Sequence, residues 1–179
     1  MKKRQLIVLM IFHLALMAGI SKNDIDFSPK RLMKDIRHIC QCDSIDFVDL
    51  KYDIDSVTNT IKGKYLKVVN RSTVIGYAYI GRVNMSGHSY NNSYEYFDYF
   101  ILYNVRGKIM KVDIFNYEAF HGREVTARWW LDQFIGYDGN TEVVVGKNID
   151  AISGATVSVH HITRDIVYRT NTIRNFLRE

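Results

Sequence analysis

Proline is almost absent from this chain, which has one proline and 11 glycines in 179 residues. So little proline and glycine argues against a long disordered linker. The composition is instead typical of a globular domain, with 47% hydrophobic and 24% charged residues. A chain of this length can bury a core of its own. The 12 tyrosines and 9 phenylalanines favour a substantial β-sheet.

The chain has only a small excess of positive charge once its N-terminal segment is set aside. Over the whole sequence 24 Lys and Arg outnumber 19 Asp and Glu, a formal net charge of +5. Three of these bases and none of the acids lie in residues 1–20, so 21 bases and 19 acids remain, a net charge of +2. Nucleic-acid binders carry a dense basic face. We therefore expect no nucleic-acid partner.

The N-terminus has the pattern of a targeting segment. Lys2, Lys3 and Arg4 precede an apolar stretch, residues 6–20, that only His13 interrupts. This pattern is typical of a secretory signal, and the stretch is short for a membrane span of about 20 residues. We expect residues 1–20 to be a signal peptide or an uncleaved N-terminal anchor, since a buried or amphipathic helix would need a polar face. Residues 21–179 then form one exported domain, periplasmic or on the extracytoplasmic face of the membrane.

Cysteine is scarce, and the two residues present are Cys40 and Cys42. A C-x-C pair matches neither the C-x-x-C of a thioredoxin-like site nor the C-x-x-C-H of haem attachment. With His38 the run resembles a metal site, but three ligands on one short segment lack a fourth partner. We expect ordinary buried or free thiols and no metal site.

The hydrophobic pattern predicts a first helix followed by a series of strands. Ser28 as N-cap and Pro29 at the first helical position begin a helix that runs to about Cys40. The internal Gly76 marks a bend or a close neighbouring backbone. The predicted strands are residues 45–55, 65–69, 74–80, 96–103 and 108–115. Residues 96–103 are apolar on both faces, whereas the strand 108–115 places Met110, Val112 and Ile114 on one face and Lys111 and Asp113 on the other.

Two further helices are predicted in the second half of the chain. Ala127, Trp130, Leu131 and Phe134 share one face of a helix over residues 124–134, with Gly136 placed to end it. Apolar residues at helical spacing stripe a long C-terminal helix: Val159, Ile162, Ile166, Ile173 and Leu177. The sequence therefore predicts an α+β fold with a single antiparallel sheet of about five or six strands. An N-terminal helix, a Trp-rich helix and the long C-terminal helix pack on that sheet.

One heptapeptide, Asp150-Ala151-Ile152-Ser153-Gly154-Ala155-Thr156, lies at the start of the C-terminal helix. The first amides of a helix have no internal partner, and the helix dipole is positive there. Small residues allow a phosphate to approach these amides closely, and the hydroxyl of Thr156 could hold it or be bonded to it. The alternative is an ordinary N-cap at Ser153 and a turn at Gly154, with nothing bound.

The heptapeptide resembles the flavinylation signature D-x-x-[ST]-G-A-[TS] of FMN-binding domains. That family includes the C subunit of the sodium-pumping NADH:quinone oxidoreductase, the G subunit of the Rnf complex and the FMN domain of the nitrous-oxide reductase regulator. The resemblance covers about residues 65–178. Residues 74–78 resemble the family's glycine-bearing strand. Residues 121–136 resemble its H-G-G-E…R-W-L-x-Q-F-x-G block, with Arg123 in place of the second glycine.

The resemblance implies that Thr156 carries FMN as a phosphodiester. A separate Mg²⁺-dependent flavin transferase would attach it, using FAD as donor and releasing AMP. Asp150 would serve the recognition or activation of Thr156, or else only the structure of the helix start. Ser153, Gly154 and Ala155 would line the phosphate.

The resemblance also implies which residues surround the isoalloxazine ring. His121 and Glu124 flank Gly122 and could hydrogen-bond the ring or the ribityl chain, or could be only a loop and a helix-cap residue. Trp129 lies just off the apolar face of the helix and is the preferred residue to pack against the isoalloxazine ring. Tyr117, Trp130 and Phe134 are further candidates to pack against the ring, and ordinary core packing explains Trp130 and Phe134 equally well.

These residues predict an extracytoplasmic electron carrier whose redox partner proteins are membrane-bound. One alternative is a flavin-dependent reductase of a small exported substrate, for which His121 or Glu124 would supply the acid or base. The chain has no nicotinamide fingerprint G-x-G-x-x-G. The other alternative is a flavin-free structural or binding module of the same fold, which Arg123 favours. A hydrolase is excluded because no G-x-S-x-G motif occurs.

Overall fold

The computed structural model describes residues 24–50, 63–85 and 95–178. The predicted signal or anchor and the end of the first predicted strand lie outside the described residues, as does nearly all of the serine- and asparagine-rich segment 85–93. In chain order the elements are α1 (Lys30–Cys40), β1 (Asp46–Asp49), β2 (Gly63–Asn70), β3 (Thr73–Asn84), β4 (Tyr96–Tyr103), β5 (Ile109–Glu118), a short α2 (Arg128–Leu131) and α3 (Thr156–Phe176). Within these ranges no helix is long and apolar enough to cross a membrane.

The strands form one antiparallel five-stranded sheet in the order β1-β2-β3-β4-β5. Each strand pairs with its neighbour in sequence, as antiparallel hairpins allow. All eight residues of β4 are buried, because helices cover both faces of the sheet. The predicted α+β fold, its single antiparallel sheet and its doubly covered strand 96–103 are confirmed.

Alternate residues of the strands face two separate cores. On one face Tyr79 and Tyr99 pack with the buried stripe of α3, which includes Ile162 and Ile166 as predicted. On the other face Leu32 and Ile36 of α1 pack on β-strand residues such as Ile80 and Phe100. We call the latter the α1 core. Side chains that point to opposite faces along each strand produce this division.

Gly76 lies where two strands approach closely. A side chain at position 76 would overlap the backbone carbonyl oxygen of Tyr103, at the end of β4. A β-bulge in β3, with Ile75 as the extra residue opposite Val68 and Val69 of β2, directly precedes the same glycine. The predicted close neighbouring backbone at Gly76 is therefore confirmed.

Met110 faces the α1 core, so the predicted common face with Val112 and Ile114 is wrong. Leu102 pairs with Lys111 and Tyr103 pairs with Ile109, which leaves Met110 as the extra residue of a bulge. A bulge turns its extra side chain to the other face of the sheet. Periodicity alone does not reveal such a shift.

The predicted helix over residues 124–134 is instead three short turns. A 3₁₀ turn at Arg123–Thr126 precedes α2, and a second 3₁₀ turn, Asp132–Phe134, follows it. Ala127 interrupts the helix because its backbone is extended, with φ −66° and ψ 129°. Trp130, Leu131 and Phe134 are nonetheless buried, as the helical spacing predicted.

Both ends of α1 differ from the sequence predictions. The N-cap is Pro29 rather than Ser28, whose amide donates to the side chain of Asp26 at 2.8 Å. At the other end Cys40 and Cys42 form a disulfide, so the expectation of free thiols is wrong. The left-handed Gln41 between them (φ 52°, ψ 39°) turns the chain and places the two cysteine Cα atoms 5.2 Å apart, within the range a disulfide needs.

Candidate cofactor-attachment site

Helix α3 begins at Thr156, whose side chain lies at the surface. Its N-cap is Ala155, and within the described residues no side chain caps the helix and no acid lies in its first turn. Gly154 has φ 81°, and a Cβ added there would have no described atom within 4 Å. A helix start without a cap leaves amide donors available to an anion. A buried Thr156 would have excluded attachment of a cofactor.

Two side chains of the segment after β5 hold the backbone of Asp150. Trp130 Nε1 donates to the Asp150 carbonyl oxygen at 2.7 Å, and the Asp150 amide donates to Gln133 Oε1 at 2.9 Å. Trp130 is fully buried and packs edge-on to Phe134, with ring centres 5.4 Å apart. The loop that leads into α3 is therefore tied at Asp150 to the core of the domain. Asp150 itself is exposed.

The segment that follows β5 packs on the first turn of α3. The Tyr117 hydroxyl donates to the His121 carbonyl oxygen at 2.6 Å and lies 3.1 Å from Ser158 Oγ. Burial raises the pKa of Tyr117, which keeps this hydroxyl protonated as a donor. Gly122 has φ 81°, and a Cβ there would lie only 3.2 Å from both Ser158 Cβ and the Tyr117 hydroxyl. Only glycine fits this position without strain.

The titratable residues of this segment lie at the surface of the domain. His121, Arg123 and Glu124 are all exposed. The Arg123 guanidinium carbon lies 5.7 Å from the centre of the Tyr117 ring. The Arg123 side chain is accommodated because position 123 is exposed to solvent, whereas a side chain at position 122 would overlap Ser158.

The two neighbouring tryptophans have different environments. Trp129 is 58% exposed, whereas Trp130 is 0% exposed. Phe134 and Tyr117 belong to the same core as Trp130. Of the four residues proposed to pack against the flavin ring, Trp129 alone is mostly exposed to solvent.

Two residues of the site had not been predicted from the sequence. Gln133 is the one polar side chain that holds the Asp150 amide, and its position within the R-W-L-x-Q-F block is the only available signal. Ser158 links α3 to Tyr117, and its Oγ also donates to Met85 Sδ at 3.3 Å. Nothing in the local sequence distinguishes Ser158 from a solvent-facing helix residue.

The structure therefore packs part of the predicted set on the first turn of α3, where Tyr117 and Gly122 lie against Ser158. Trp130 and Gln133 separately fix the backbone of Asp150. Among the described residues no group of three or more His, Cys, Asp or Glu could hold a metal ion. Comparison with protein-family models, with curated proteins and with solved structures finds no match to this chain.

Proposed function

We propose that this protein is an extracytoplasmic electron carrier with FMN attached through its phosphate to Thr156. The observation that carries the proposal is an exposed Thr156 at an uncapped helix start, within the full D-x-x-S-G-A-T motif. The positive end of the α3 dipole favours the roughly single negative charge that a phosphodiester keeps. The near-neutral domain could accommodate this charge without a cluster of arginines.

The residues around Thr156 fit a phosphate and the chain that follows it. Ser153 and Gly154 are exposed, and the open space beside Gly154 lets a phosphate approach the backbone. The side chain of Ala155 is buried, so this residue would line the phosphate through its backbone. The backbone of Asp150 is fixed and its side chain is exposed, so its carboxylate would assist the recognition or activation of Thr156.

The exposed residues of the segment after β5 suit the flavin ring. Trp129 would cover one side of the isoalloxazine, and His121 and Glu124 would hydrogen-bond the ring or the ribityl chain. Two exposed apolar residues adjoin these positions in sequence, Phe120 at 72% exposure and Val157 at 38%. Together with Trp129, these side chains would offer apolar surface to the flavin ring or to a partner protein.

Attachment requires a flavin transferase and an exported location. The Thr156 hydroxyl would displace AMP from the FMN phosphorus of FAD and lose its proton, with Mg²⁺ held by the transferase. A covalent bond retains the cofactor outside the cytoplasm however weak the other contacts are. FMN, when bound, supplies one- and two-electron redox chemistry. An open surface site suits electron exchange with membrane-bound partner proteins better than a closed substrate pocket would.

The test is co-expression of the full chain with a flavin transferase in an exporting host. We expect a yellow protein whose fluorescent band survives a denaturing gel and whose intact mass includes one FMN. Thr156→Ala should remove the band, and Thr156→Ser should keep it. Thr172→Ala is the matched control on the same helix, because Thr172 donates to the Tyr168 carbonyl oxygen far from the helix start. A colourless wild type, or fluorescence that persists in Thr156→Ala, would contradict the proposal.

A further inference from the structure

The disulfide between Cys40 and Cys42 lies at the end of α1, on the opposite face of the sheet from α3. Only Gln41 separates the two cysteines, and the bond links no two elements of the fold. A disulfide stabilises a protein mainly by closing a loop in the unfolded chain, and this effect shrinks as the loop shortens. At a sequence separation of 2 the loop is close to its minimum length.

Other contacts already hold α1 on the sheet. Leu32 and Ile36 are buried in the α1 core. Two ion pairs add to this packing, Arg31 to Asp113 at 3.5 Å and Lys111 to Asp35 at 3.7 Å. A structural role for the disulfide is therefore small, because the helix is anchored without it.

The disulfide is also within reach of solvent. Both cysteines are half-buried, and the residues around Cys42 (Gln41, Asp43 and Ser44) are exposed. Gln41 is a non-glycine residue with φ 52°, in the left-handed region that disfavours side chains. Reduction would free Gln41 to leave that conformation. Accessible disulfides under strain are the reducible ones.

We propose that Cys40–Cys42 is a reversible redox site that accepts two electrons from an external dithiol. A thiolate of the donor attacks the Cys42 sulfur and breaks the Cys40–Cys42 bond. Cys42 is the point of attack because Cys40 packs against the α1 core. Cys40 leaves as a thiolate and takes up a proton. The donor's second thiolate then attacks the mixed disulfide and releases Cys42, which takes up the second proton as the donor becomes a disulfide.

The first test equilibrates the full oxidised chain with mixtures of dihydrolipoate and lipoate, then alkylates free thiols and measures the intact mass. We expect both cysteines to become alkylated as the dihydrolipoate fraction rises and to re-form the disulfide when the ratio is reversed. The circular dichroism spectrum and the thermal transition should persist in the reduced protein. Alkylation only in denaturant, or two free thiols in the untreated protein, would overturn the proposal.

The second test asks which sulfur is attacked. Cys40→Ser keeps Cys42 alone and should form a mixed disulfide with oxidised glutathione severalfold faster than Cys42→Ser does. The double Cys40→Ser/Cys42→Ser variant is the control and should not react. Equal rates in the two single variants would overturn the assignment of Cys42. Neither test depends on the flavin, so its result is separate from that of the proposed function.

Discussion

Replacing Gly122 by alanine tests how tightly the segment after β5 packs on the start of α3. Gly122 is buried with φ 81°, and an added Cβ would overlap Ser158 Oγ and lie 3.2 Å from the Tyr117 hydroxyl. The matched control is Gly154→Ala. Gly154 also has φ 81°, but a Cβ there would have no described atom within 4 Å. The two variants share the backbone cost and differ only in the contact.

The expected losses of stability follow from these two terms. Alanine in the left-handed region costs about 1–2 kcal/mol at either position. Overlap in a packed site adds about 1–3 kcal/mol at Gly122 alone. Ser158 does not rotate away freely, because its Oγ contacts the Tyr117 hydroxyl at 3.1 Å and Met85 Sδ at 3.3 Å. Gly122→Ala should therefore lose about 2–5 kcal/mol, and Gly154→Ala about 1–2 kcal/mol.

Urea unfolding followed by tryptophan fluorescence measures both free energies of unfolding. In a Ser158→Ala background the overlapping Oγ is gone, so the added cost of Gly122→Ala should shrink by about 1 kcal/mol or more. The melting temperature of Gly122→Ala should fall by about 4–20 °C, at about 2–4 °C per kcal/mol for a chain of this size. Equal losses for the two glycine variants would refute the packing of Gly122 on Ser158.

Two further predictions concern the core. Trp130→Phe removes the hydrogen bond to the Asp150 carbonyl and leaves a small cavity, so urea unfolding should show a loss of about 1–3 kcal/mol, and flavin fluorescence on a denaturing gel should weaken. Trp129→Phe is its control and should stay within about 0.5 kcal/mol of wild type; an equal loss in both variants would contradict the anchoring role of Trp130. Burial raises the pKa of four core tyrosines, Tyr65, Tyr79, Tyr99 and Tyr103, above its ordinary value. Above about pH 10 these tyrosines ionise in the unfolded chain only, so stability should fall by up to about 1.4 kcal/mol per pH unit for each tyrosine. Tyr103→Phe should lower that slope by up to about 1.4 kcal/mol per pH unit in urea titrations between about pH 10 and 12, and an unchanged slope would refute the assignment.

The elements that were predicted correctly are those with a strong local pattern. Helix α3 and the doubly covered β4 follow from apolar spacing over many residues, which depends on each element's own period. The segment 124–134 was predicted as one helix because its buried residues share a helical spacing. The segment breaks at Ala127 because the backbone of that one residue is extended, which the spacing of apolar residues does not reveal.

In the candidate site, too, the local features could be predicted from the sequence and the long-range ones could not. The heptapeptide ending at Thr156 and its place at a helix start could be identified from the sequence alone. The sequence could not indicate that Thr156 is exposed or that Trp130 anchors Asp150. Each of these depends on how the helix start sits against the core.

By itself the sequence determined the order of elements, the burial of β4 on both faces and the segment that carries the D-x-x-S-G-A-T motif. Such features arise from interactions within one helical turn or one strand, so residue spacing encodes them. Only the tertiary structure decided the bulge at Met110, the fixed backbone of Asp150 and the contact of Tyr117 with Ser158. The last two join residues 20 and 41 positions apart. Contacts at that separation form only when the whole core packs, and no local pattern records them.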